Sequence, residues 1–252
     1  LSAECESSDI NAVCHSCSAE ISGGQFSEEL LKAVKAHEDA INRFDQNNEK
    51  IDELIEVRRL LESARDLYDD ADKDKFIHLG DEEALLSALG QGRVYLALGN
   101  VDLAIKDDDG LTQDEIDWID EIYDAALAKL NGVVQYSGQD HELLSQALMS
   151  KAQVLQQKAT LSQNGEDLTE VLQTLESAVL ADPNNVGAEH LLSDTRTSYL
   201  RKTEDRMREN INDLIEYSLI NSNPGDSEDW VMIKNTFGNT LNVFRGVYQE
   251  YV

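Results

Sequence analysis

Three cysteines and a histidine crowd the start of the chain: Cys5, Cys14, His15 and Cys17, spaced C-x8-C-H-S-C. Thiolates and an imidazole can bind zinc, cycle between thiol and disulfide, or hold a haem. Haem attachment needs C-x-x-C-H, and Ser18 stands where that histidine belongs. A four-ligand zinc site would require His15 to reach the ion from inside the short 14–17 loop. A thioredoxin-like pair opens a helix beside a sheet, and the sequence carries no sheet signal. A disulfide from Cys5 to Cys14 or Cys17 needs no cofactor and pins an N-terminal arm, given an oxidising compartment. The third cysteine is then free or pairs with another chain, which points to covalent assembly. Neither metal nor any other cofactor is expected.

Other polar clusters carry less chemistry. Asp107-Asp108-Asp109-Gly110 has the carboxylates a hard cation wants. With Gly110 as the sixth residue of a calcium loop, positions 1 and 12 fall on Ile105 and Ile116, so the pattern fails at both ends. Asp69, Asp70, Asp72 and Asp74 read as a second acidic linker. The histidines (His15, His37, His78, His141, His190) include no i, i+4 pair, and there is no G-x-S-x-G, phosphate-binding glycine loop or G-x-G-x-x-G. No catalytic constellation emerges, and the chain is expected not to be an enzyme.

Two surface features point to association. Arg196, Arg201, Lys202, Arg206 and Arg208 gather in one helix of a chain poor in cations. Trp230, Ile233, Phe237, Leu241, Phe244, Tyr248 and Tyr251 recur at helical spacing near the C-terminus. Arg201 and Arg206, with Trp230, Phe237, Phe244 and Tyr248, are therefore self-association candidates. The bland readings are internal ion pairing and a closing cap. A head-to-tail contact through these surfaces would build rings or filaments.

The 252 residues carry a formal charge of -29. Nucleic-acid affinity comes chiefly from phosphate contacts, so DNA and RNA are poor partners, and anionic lipid is poor for the same reason. No run approaches the roughly 20 apolar residues of a membrane span. The chain begins at Leu1 without methionine. Together with the cysteines this leads to the expectation of an exported protein, periplasmic or extracellular, whose targeting segment has been removed.

Only 2 prolines and 14 glycines interrupt abundant Ala, Leu, Glu, Asp and Gln, which points to an all-α protein. Ser27 is a plausible N-cap, and Leu30, Val34, His37, Ile41 and Phe44 form one apolar face after it. Ile51, Leu54, Val57, Leu61, Ala64 and Tyr68 form the next, before a charged linker over 69–75. A third helix is capped by Asp81. Thr112-Gln113-Asp114-Glu115 is a capping box opening a helix with Ile116, Ile119, Tyr123, Ala126, Leu127 and Leu130. Asn131-Gly132 is expected to end it. The one β-leaning run, Gly132-Val133-Val134-Gln135-Tyr136, is too short for a sheet. A helix follows over about 141–161, with Leu144, Ala147, Met149, Ala152 and Leu155 as candidate buried positions. Asn164-Gly165 turns the chain into the helix of 168–185. A long helix from 186 to about 220, the turn Asn223-Pro224-Gly225 and a last helix complete roughly nine.

The segment LTEVLQTLESAVLADPNN, 168–185, is an amphipathic helix stopped by Asp182-Pro183-Asn184-Asn185. It resembles the second helix of a tetratricopeptide repeat. GRVYLALGNVDLAI, 92–105, places Gly92, Tyr95, Gly99 and Ala104 at that family's small, aromatic, glycine and alanine offsets. The resemblance covers 82–105 and 142–200. It implies a superhelical, degenerate array of antiparallel hairpins over 27–220, between a cysteine arm (1–26) and an aromatic capping or docking helix (221–252). It also implies a protein-interaction scaffold whose groove is lined by Leu89, Arg93, Leu96, Gln153 and Gln157. The alternative is a structural subunit that polymerises through its arm, basic helix and aromatic helix. The expected partner is thus another protein or other copies of the chain.

Overall fold

The computed structural model describes residues 27–47, 50–73, 82–106, 110–161 and 168–220, with 235, 238 and 239. Among them are seven α-helices and no strand: α1 (Glu28–Asn47), α2 (Ile51–Lys73), α3 (Glu82–Lys106), α4 (Gln113–Tyr136), α5 (His141–Leu161), α6 (Thr169–Ala181) and α7 (Val186–Ile220). The chain divides into two compact units, Leu1–Leu192 and Ser193–Val252, so the division falls inside α7. None of the seven helices is long and apolar enough to cross a membrane.

Side-chain oxygens start several helices. Ser27 Oγ accepts from Leu30 N at 3.3 Å, and Glu28 and Glu29 follow at the positive end of the helix dipole. Thr112 and Glu115 form the reciprocal box: Thr112 Oγ1 accepts from Glu115 N, and Thr112 N donates to Glu115 Oε2 at 3.0 Å. Asp140 caps α5 through Leu143 N, and Asn185 caps α7 through Ala188 N. At the end of α6 Asp182 is extended, its Oδ1 accepts from Asn184 N, and Pro183 prevents another turn.

Within the first unit every helix from α1 to α6 packs on its sequence neighbour, and α3 also touches α1 and α5. Short loops make neighbours antiparallel. Arg43 near the end of α1 pairs with Glu53 near the start of α2, and Lys158 late in α5 reaches Asp120 and Asp124 early in α4. Alternate helices run parallel, since Ser27 N at the start of α1 donates to Glu83 Oε1 at the start of α3.

Two apolar clusters result. One joins α1 and α2 to one side of α3 through Leu30, Leu54, Val57, Leu61, Tyr68, Val94 and Leu98. The other joins α3 to α4 and α5 through Leu89, Leu96, Ile119, Tyr123, Leu130, Leu143 and Val154. Each fully buried leucine contributes about 2 kcal/mol relative to an exposed one. As the wall common to both, α3 is buried nearly all round and has no polar face. Its glycines admit neighbours. A Cβ on Gly99 would stand 2.3 Å from Tyr123 Cε1, and one on Gly90 2.3 Å from Tyr68 Cζ. Gly92 receives Leu130 in the same way, so two of the small positions marked in the sequence, Gly92 and Gly99, do permit close approach.

Several boundaries differ from expectation. Asn131-Gly132 does not end α4, which runs to Tyr136. Val133 continues the buried series Ile119, Tyr123, Ala126, Leu130, and that packing outweighs the poor helix propensity of Gly and Val. The β-leaning run is thus the last turn of a helix. The acidic linker expected from Asp69 does not begin there, because α2 reaches Lys73 and Ala71 is buried. Ile51, placed on the buried face of α2, is 47% exposed. In α5, Leu143, Val154 and Leu161 are buried, whereas Leu144 and Leu155 are half-buried. That helix packs on α4, α6 and α3, so no single stripe defines its interior. Asp81, the Asp107–109 run, Asn164-Gly165, the 223–225 turn and the aromatic C-terminal stripe lie outside the described residues.

Candidate functional site

Arg93, Leu89 and Leu96, expected to line a groove, are buried on α3. Leu89 and Leu96 belong to the α3–α4–α5 cluster. Arg93 Nε donates to Ser150 Oγ at 3.0 Å and its Nη2 to Gln146 Oε1 at 3.1 Å, tying α3 to α5. As placed, these three present no solvent-facing side to a partner, because α3 is enclosed by its neighbours. Gln153 and Gln157 on α5 are half-buried. Arg201 and Arg206 are exposed on α7, where Arg208 bonds Glu204 one turn back at 2.6 Å. Cys5, Cys14, Cys17, Trp230, Phe237, Phe244 and Tyr248 lie outside the described residues.

Around Arg93 the interior is polar in places. His37 on α1 is buried, its ring edge-on to Tyr68 with centroids 6.3 Å apart. Burial, reinforced by the Arg93 charge, pushes its imidazole down to about 3, so His37 is neutral at pH 7. Tyr123 on α4 donates to Asn100 Oδ1 at 2.9 Å, and burial pushes its phenol well up. Ser145 donates to Ala178 O at 2.8 Å and accepts from Asn185 Nδ2 at 2.9 Å, locking α5 to the end of α6. Such groups fix helix register across the layers.

A cleft of about 290 Å³ opens where α2, α3 and α4 meet. Ile55, Ile105, Trp118 and Ile119 form its apolar walls. Trp118 and Ile55 are 54% and 53% exposed. The polar wall groups are already engaged. Arg58 Nε donates to Asp102 Oδ1 at 2.7 Å, and Trp118 Nε1 donates to Asp102 Oδ2 at 3.3 Å. Arg58 also holds Glu62 one turn on, and the Asp102 carboxylate raises the Arg58 guanidinium above its usual range. At the mouth Lys106 Nζ meets Glu115 Oε1 at 2.6 Å. The Lys106 bond, with two hydrogen bonds from Thr112, holds the Glu115 carboxyl down to about 2.

One carboxylate, Asp102, thus orients an arginine from α2 and an indole from α4. Beyond the Lys106–Glu115 pair, the rest of the cleft lining is apolar: Ile55, Ile105, Ile119 and the Trp118 side chain. Sequence reading missed this cleft. Trp118 stands between Asp117 and Ile119 in an acid-rich stretch, and only packing brings Ile55 beside it. Searches among protein-family models, curated proteins and solved structures found nothing that matches this chain.

Proposed function

We propose that the chain is a non-enzymatic protein-interaction scaffold, built of helical hairpins in the manner of tetratricopeptide repeats and working outside the cytoplasm. The observation that carries this reading is the in-series packing: neighbour on neighbour from α1 to α6, with α3 also against α1 and α5. Stacks of this kind bury a continuous core and leave helix faces and clefts for partners. The stop at Asp182-Pro183 after α6 supports the repeat-like reading of the last hairpin. Placement outside the cytoplasm rests on the disulfide-like spacing of Cys5, Cys14 and Cys17.

Size-exclusion chromatography with light scattering, with and without reductant, tests the scaffold reading. A monomer in both conditions is expected. A multimer that reductant or dilution dissolves would replace it with the self-assembling structural subunit.

A further inference from the structure

We infer that the α2–α3–α4 cleft receives an apolar side chain from a basic peptide segment of a partner protein. This rests on the scaffold reading and names the chemistry of its partner. The pocket fixes the anchor. Its volume of about 290 Å³ lies at the small end of ligand sites, enough for one or two side chains. Its polar wall groups already bond one another: Arg58 and the Trp118 N–H with Asp102, Lys106 with Glu115. An entering polar group would have to compete with these pairs and would lose its water. An apolar side chain instead covers Ile55, Ile105 and the indole face, and Asp102 has pre-set the ring, so little order is lost on binding.

Acids one helical turn from the exposed wall residues set the charge of the flanks. Asp114 and Glu121 lie one turn before and one turn after Trp118 on α4, and Asp52 lies one turn before Ile55 on α2. All three are exposed, and none is in an ion pair among the described residues. Lysines or arginines on either side of the anchor meet these carboxylates. The charge of -29 adds long-range attraction for a cationic segment and repels an acidic one.

The test is selection of a random twelve-residue phage-displayed peptide library on the full chain, with Trp118→Ala and Ile55→Asp chains as counter-targets. Both positions are exposed, and circular dichroism verifies that the variants fold. The expected consensus is one Leu, Phe or Trp flanked by at least two Lys or Arg. A synthetic peptide of that consensus should bind at least tenfold more weakly to either variant, and at least tenfold more weakly when its anchor is Ala. Asp114→Asn with Glu121→Gln should weaken it several-fold and flatten its salt dependence. Neutral or acidic consensus peptides would overturn the inference. So would consensus peptides indifferent to Trp118→Ala, although the chain would remain a peptide-binding scaffold. Failure to enrich any peptide overturns the cleft assignment, while the light-scattering result judges the scaffold reading separately.

Discussion

Arg93 and Arg58 each bridge two helices, and their surroundings separate two regions of the first unit. Arg93 is 2% exposed on α3, with Ser150 and Gln146 of α5 among its acceptors. Arg58 on α2 keeps 31% of its side chain in solvent and is held by the Asp102 carboxylate. The enclosed seam spends its polar groups on helix register and offers no surface. The cleft uses a comparable pair to orient Trp118 and leaves an apolar wall open. Burial, more than residue type, decides whether an arginine serves the layers or shapes an open surface.

The largest test of the seam is acid. His37 has a folded-state value of about 3 against an ordinary 6.5, so the unfolded chain binds more protons between those pH values. The stability that neutral His37 confers is complete above pH 6.5 and falls as pH drops toward 3. The loss is on the order of 5 kcal/mol at its limit. Urea unfolding of the native chain and of His37→Leu at pH 7 and pH 4 should show the native chain losing more. Equal losses would remove His37 from the account.

Next is close approach. Gly99→Val drives a side chain into the Tyr123 ring, and a loss of about 3 kcal/mol is expected in chemical denaturation. Gly132→Ala, open to space, should be neutral or slightly stabilising. Arg58→Met then probes the cleft. It strips Asp102 of its cation and should lower stability by about 2 kcal/mol, with Trp118 fluorescence reporting a loosened indole in a Trp230→Phe background. A buried amide gives an effect of the opposite sign. Gln91 is fully buried, with neither amide atom hydrogen-bonded among the described residues. Gln91→Leu should raise stability by about 1 kcal/mol. A decrease would show that this amide has a partner in solution.

Where a single helix face meets a single neighbour, the sequence was readable. The faces of α1 and of α2 from Leu54 onward, the Ser27 and Thr112 caps and the Asp182-Pro183 stop all follow from local periodicity and capping. Reading failed where several neighbours share a helix. α3 has no polar side to contrast with an apolar one, and α5 buries Leu143 and Val154 beside half-buried Leu144 and Leu155. Arg93 and Leu96, placed at a groove by repeat resemblance, are interior for the same reason. The Trp118 cleft was invisible because it joins residues from three helices, 55 to 119 in the chain.

By itself the sequence determined helical class, most helix starts and stops, and an acidic surface, because capping, proline geometry and charge act over a few residues. Tertiary structure decided that α4 passes through Asn131-Gly132, that α3 is enclosed, and that Asp102 brings Arg58 and Trp118 together. Those outcomes depend on which faces meet across the stack, and contacts between distant residues leave no local period to read.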